Sequence, residues 1–150
     1  MRSEPRVLVI ENNDALRVLL FTILRHQPLA VDTAATIEDA MEKVETCDYA
    51  LVVVDMDMPE DAGQQFVSTF REQRPEATTF ILAVRDPNGS AYVDSTQVNA
   101  IMNKPLEIDT LAELVRECAM VVPPPADPLP CPPSESEVRM KLERGTYLEN

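Results

Sequence analysis

Short, unbroken apolar runs alternate along this chain with longer stretches in which apolar residues recur every three or four positions. Each run is the length of a strand and each periodic stretch the length of a helix. Strands are expected over residues 7–10, 30–33, 49–54, 79–84 and 100–102. After the first, Asn13 or Asp14 can cap a helix whose Leu16, Leu19, Leu20, Ile23 and Leu24 keep helical spacing, with Pro28 closing the segment. Thr36 can cap a second helix running to about Glu45, and Ala62 opens a third that ends at about Arg74, before Pro75. A weak helix is predicted over 90–97, after the turn Asp86-Pro87-Asn88-Gly89. Asp109 opens a last helix with Leu111, Leu114, Val115, Cys118 and Val122 on one stripe.

Five βα units with short connections require right-handed crossovers and a parallel sheet covered on both faces. The expected fold is α/β: a three-layer, doubly wound, five-stranded parallel sheet of flavodoxin-like order 2-1-3-4-5. Strands 1 and 3 are then neighbours.

The pattern changes at Pro123. Residues 1–122 carry the alternating elements, 123–133 form a proline-rich spacer with no capacity for a core, and 134–150 hold a short helix or a disordered tail. Ser134 and Glu137 have capping-box spacing before 138–144, and Gly145 suits the position just past that helix. A helix this short is marginal alone. Tethering a partner, docking in cis and forming a homodimer are the roles open to it.

Composition narrows the function classes. The chain has 150 residues and a net charge of -13, so phosphate backbones and anionic membranes would repel it. No nucleic-acid or membrane role is expected. The apolar runs are too short to span a bilayer, and the short polar N-terminus is read as carrying no signal peptide. Cys47, Cys118 and Cys131 are odd in number without close pairing, and His26 is the lone histidine. Unpaired core or bystander thiols in a reduced, cytoplasmic compartment are expected, with no zinc site. Only three glycines are present, and neither a Gly-x-Gly-x-x-Gly nor a Walker loop occurs, which argues against those nucleotide sites.

The candidate chemistry lies where Leu51-Val52-Val53-Val54 runs into Asp55-Met56-Asp57-Met58-Pro59, with Gly63 beyond. Ligands of open α/β sheets collect at the carboxyl ends of the strands. That edge should gather Glu11 and Asn12 from strand 1, Asp55 and Asp57 from strand 3, Val84 from strand 4, and Lys104, which precedes Pro105, after strand 5. Oxygen ligands with one lysine suit magnesium and a phosphoryl group. The plain alternative is a set of solvated loop ends.

Val-Leu-Val-Ile-Glu-Asn-Asn, Asp-x-x-Met-Pro-x-x-x-Gly and Lys-Pro-Leu together resemble the receiver domain of two-component response regulators over roughly residues 5–122. The resemblance implies that Asp55 accepts a phosphoryl group from a histidine kinase or phosphotransfer protein and that Lys104 pairs with the phosphoryl oxygens. It places Mg2+ on Asp55, Asn12 and the backbone carbonyl of Asp57. It also implies a downstream protein target met through about residues 90–122. Beyond accepting phosphate from a donor and slow autodephosphorylation, no enzymatic activity is implied, and no output domain is expected.

Four positions depart from the family pattern. Glu11-Asn12 stands where two acids are usual, which weakens magnesium binding unless Glu11 compensates directly or through water. Asp57 adds a charge that can repel phosphate or recruit the cation. Val84 replaces a hydroxyl residue and Ile101 the switch aromatic, so both parts of the usual switch are altered. Two readings stay open: phosphorylation with an altered readout, or a pseudo-receiver docking independently of phosphorylation. A remote alternative comes from the resemblance of the strand-Asp-x-Asp run to phosphatases of the haloacid dehalogenase type, with Asp55 as nucleophile and Asp57 as general acid.

Overall fold

The apolar runs become the strands of one parallel sheet in a computed structural model that describes residues 4–145. The elements in chain order are β1 (Arg6–Ile10), α1 (Asp14–Leu24), β2 (Ala30–Ala34), α2 (Ile37–Thr46), β3 (Leu51–Asp55), a 3-10 turn (Pro59–Asp61), α3 (Ala62–Gln73), β4 (Phe80–Arg85), β5 (Ala100–Asn103), α4 (Ile108–Val121) and α5 (Glu135–Glu143). The strand order is β2-β1-β3-β4-β5, as the βα alternation predicts. Register sets Ile10 beside Val54 and Asp55 beside Val84, so the ends of three central strands share one edge.

Both faces of the sheet are buried, which explains why the strands are apolar at successive positions instead of alternating. Leu8, Ile10, Val52, Val54, Ile81 and Ala83 pack with Ala40 and Val44 of α2 and with Phe66, Val67 and Phe70 of α3. Val7, Val9, Val31, Leu51, Val53 and Leu82 pack on the other face against Leu20 and Leu24 of α1 and Leu111 and Val115 of α4. Leu19 departs from the expected stripe: it is 44 % exposed beside Val18, because α1 turns only its Leu20 and Leu24 side inward. Asn13 is the α1 cap, its Oδ1 accepting from the Leu16 N–H at 2.9 Å.

Residues 90–97 are not helical. Asp94 spends its carboxylate on the N–H and hydroxyl of Thr96, a local bond that competes with helix, and its own N–H donates to Gln64 Oε1 of α3 at 2.9 Å. Side chains from α3 pin this connection where helical bonds would otherwise form.

The C-terminal segment folds back on the body. Residues 123–133 pass the end of α2, where the Leu129 N–H donates to Asp48 Oδ2 at 2.8 Å. Here the expectation of three unpaired thiols fails: Cys47 and Cys131 form a disulfide across 84 residues, leaving Cys118 free. The pairing is invisible in the spacing because the two cysteines lie 84 residues apart and only the tertiary fold brings the end of α2 and the proline segment together. Helix α5 then lies on β2. Ser136 Oγ accepts from the Val31 N–H and Glu135 Oε1 from the Thr33 N–H, both at 2.8 Å, so side chains satisfy donors on the exposed edge of the sheet. Gly145 follows with φ of 73°, a left-handed conformation suited to a residue without Cβ.

Candidate functional site

Four of the candidate residues converge. Lys104 Nζ lies 3.0 Å from Asp55 Oδ1 and 3.0 Å from Asp57 Oδ2, bridging the two carboxylates. The Asp57 N–H also donates to Asp55 Oδ1 at 2.9 Å. Asp55 is 5 % exposed, whereas the Lys104 side chain is 28 % exposed and forms the solvent side of the pair. Burial alone would lower the lysine pKa, but hydrogen bonds and attraction from Asp57 and Asp55 outweigh it and raise it. The ammonium therefore stays charged. Its backbone is anchored to β4, the Lys104 N–H donating to the Arg85 carbonyl at 2.8 Å, and the Lys104–Pro105 peptide is cis.

Glu11 is the fourth member and is 3 % exposed. Burial, with a hydrogen bond to Asp55, pushes its carboxyl up to about 7, against one backbone hydrogen bond from Asn13 that lowers it. Glu11 thus keeps its proton up to about pH 7, next to Asp55. The next residue, Asn12, is exposed. Val84 lies beside Asp55, buried and without a donor, and Ile101 on β5 is 37 % exposed.

Gly63 explains the spacing after the acceptor aspartate. A Cβ there would sit 2.7 Å from the Asp55 carbonyl oxygen and 3.0 Å from Met56 Cα, both backbone atoms. Gly63→Ala is expected to lose about 1–3 kcal/mol by overpacking. Urea unfolding measures this, and an unchanged midpoint would show that α3 shifts freely. Between these residues, Glu60 and Asp61 hold φ of 60° and 52°, left-handed values that turn the chain sharply from β3 into α3.

One contributor escaped the sequence reading. The Asp86 N–H donates to Asp57 Oδ2 at 2.8 Å, and Asp86, Gly89 and Ser90 join Asp57 and Lys104 around an open cavity at the strand ends. The turn signal Asp-Pro-Asn-Gly marked this loop, though nothing local showed that it faces Asp57. Lys104 and the Asp86 N–H both meet Asp57 at Oδ2.

The carboxyl groups gathered here, Asp55, Asp57 and Glu11, are oxygen ligands. That chemistry fits a hard cation. Among the described residues, however, no three His, Cys, Asp or Glu side chains are arranged to hold a metal ion, so neutral oxygens would carry part of the load.

Comparison with known proteins agrees with this fold. The family model "Response regulator receiver domain" matches residues 7–116. The transcriptional regulatory protein PmrA of Pectobacterium parmentieri is 30 % identical over 81 residues, covering 54 % of this chain and 36 % of that protein. TcrA of Mycobacterium tuberculosis is 28 % identical over 162 aligned positions, covering 98 % of this chain and 64 % of its own length. The chain therefore spans between about a third and two thirds of these relatives. Among solved structures, a CheY-like receiver domain from Methanospirillum hungatei superposes with a TM-score of 0.67 at 22 % identity, covering 79 % of this chain and 95 % of that one. The TrrA response regulator of Thermotoga maritima, solved with Mg(2+)-BeF, gives 0.66 at 24 % identity, covering 76 % and 98 %. No helix among the described residues is long and apolar enough to cross a membrane. The fold, the strand-end carboxylates with their lysine, and the family match over the sheet and its helices lead to one conclusion: this chain belongs to the response regulator receiver domains of two-component signal transduction.

Proposed function

We propose that Asp55 is the phosphoacceptor, taking a phosphoryl group from a histidine kinase or phosphotransfer protein, and that the chain then signals by contact with a downstream protein. The observation that carries this reading is the Lys104 ammonium bridging Asp55 and Asp57 at the buried strand end. An Asp55 carboxylate oxygen attacks phosphorus, the phosphorus bond to the donor imidazole breaks, and the departing nitrogen takes up a proton. Lys104 is placed to move from carboxylate to phosphoryl oxygens, and the Asp57 N–H orients Asp55 Oδ1. Asp55, Asn12 and the Asp57 carbonyl would hold Mg2+, with Glu11 contributing directly or through water; when bound, the cation neutralises charge on the phosphoryl oxygens. The reading puts the phosphodonor and this chain in the cytoplasm as part of the proposal, and no catalytic turnover beyond self-phosphorylation and slow autodephosphorylation is proposed.

The readout differs from that of a receiver with a hydroxyl on strand 4. Val84 offers the phosphoryl group no donor, and Ile101 has neither a ring nor a hydroxyl to reorient. The exposed Ile101 and Tyr92 nonetheless present apolar surface on the proposed target side. The same two substitutions, with the raised carboxyl of Glu11 buried at this site, favour a second reading: a docking module independent of phosphate.

Acetyl phosphate with millimolar magnesium separates the two. A mass gain lost in Asp55→Asn, with amide shifts spreading from Asp55 to α4, supports the switch. No incorporation at all would leave the docking module. Asn12→Asp should tighten magnesium binding about tenfold by restoring a carboxylate, since hard-cation affinity follows ligand charge. Equal affinities by titration calorimetry would remove Asn12 from the ligand set.

A further inference from the structure

The C-terminal segment is held to the body in an unequal way. Helix α5 meets β2 almost wholly through polar groups: Ser134 and Ser136 are its buried side chains, whereas Met140 and Leu142 are 43 % and 49 % exposed. Its anchors are the Val31 and Thr33 N–H groups on Ser136 and Glu135, the Glu135 N–H on Asp32 Oδ1 at 2.8 Å, and an exposed Arg25–Glu143 pair. A nine-residue helix is marginal alone, and this one has no apolar face buried against its support. The proline segment before it is mostly exposed and spans an open cavity beneath it, lined in part by Arg6, Pro28, Asp48 and Pro125. Among the described residues, the Cys47–Cys131 bond is the covalent cross-link between this segment and the body, apart from the chain itself. Such a tie acts by keeping the local concentration of the segment high.

We propose that Cys47–Cys131 is a thiol–disulfide exchange site whose state decides whether residues 123–143 stay closed over the β2 edge. The two ends differ in access. Cys47 caps the C-terminus of α2 at 2 % exposure, while Cys131 lies in the exposed segment. An incoming thiolate therefore attacks Cys131 Sγ, forming a mixed disulfide with it and expelling Cys47 as a thiolate, which takes up a proton. A second thiol attacks the mixed disulfide and frees Cys131. The two donor thiols are oxidised to a disulfide, and two electrons reduce the protein bond. The reductant is a dithiol or a pair of low-molecular-weight thiols; oxidation by a small disulfide reverses each step. In the open form the Val31 and Thr33 N–H groups and the Asp32 carboxylate lose their partners on α5. This device is independent of the chemistry at Asp55.

The test uses the full chain, oxidised or treated with dithiothreitol, read by thiol titration and residue-resolved amide exchange. The oxidised protein should titrate one thiol, Cys118, and the reduced protein three without unfolding. On reduction the Val31, Thr33 and Leu129 amides should exchange about tenfold faster or more, since they are protected only while the segment is closed. Reoxidation should restore them. Cys131→Ser, in an exposed position clear of the core, should show the fast pattern without reductant and no response to it. Reduction that changes these amides by less than about twofold would make the bond a passive staple and overturn the proposal. Three titratable thiols in native protein treated with an excess of oxidised glutathione would overturn it too.

Discussion

Replacing Asp32 with alanine is expected to lower the unfolding free energy by about 3–5 kcal/mol, because it leaves a partly buried cation unpaired. Asp32 is 2 % exposed and meets three partners from separate parts of the chain. Its Oδ2 accepts from Arg6 Nε at 2.8 Å and from the Tyr49 hydroxyl at 2.6 Å, and its Oδ1 accepts from the Glu135 N–H at 2.8 Å. Burial, then the hydrogen bond to Asp32, raises the Tyr49 pKa well above the usual phenol range, so the hydroxyl remains a donor. Alanine would strand the Arg6 guanidinium, the Tyr49 hydroxyl and the first N–H of α5 together. Asp32→Asn keeps an acceptor for α5 but loses the charge facing Arg6, and should fall between alanine and wild type. Urea unfolding of the three proteins checks the order. A loss below about 1 kcal/mol for alanine would mean that water replaces the carboxylate freely.

Glu11 makes stability fall as pH rises. Its carboxyl is raised from 4.5 to about 7 in the folded protein, so between those values the native state binds more protons than the unfolded chain. The stabilising contribution is complete below 4.5 and is lost as pH climbs through about 7. At about 1.4 kcal/mol per pH unit, the loss for this buried group is on the order of 3 kcal/mol. Glu11→Gln removes the proton exchange while keeping the side-chain length. In magnesium-free buffer, wild type should lose about 3 kcal/mol against this variant between pH 4.5 and 8. Parallel stability curves would show that Glu11 is already ionised beside Asp55.

The two carboxylates differ in how far the chain itself announces them. Asp55 follows four apolar residues and precedes Met-Pro, so its place at the mouth of a buried strand was legible from local pattern alone. Its pairing with Lys104 followed once the strand order placed the ends of β3 and β5 on the same edge. Glu11 was legible as a neighbour of Asp55 but not as a buried acid, because burial depends on what covers β1. The weak helix expected over 90–97 failed for a related reason: Gln64 and Asp94 capture the backbone groups that a helix would use.

By itself the sequence determined the five strands, their order and the strand-end cluster of Asp55, Asp57 and Lys104. Those features follow from hydrophobic periodicity, short connections and residue types read over a few neighbouring positions. Tertiary structure alone decided the raised carboxyl of Glu11, the three-way grip of Asp32, the Cys47–Cys131 bond and the closing of α5 over β2. Each joins groups far apart in the chain, or turns on how deeply a charge is covered. The physical reason is the same throughout: apolar patterning is local and repeats, whereas a buried polar contact is specified only when distant elements have packed.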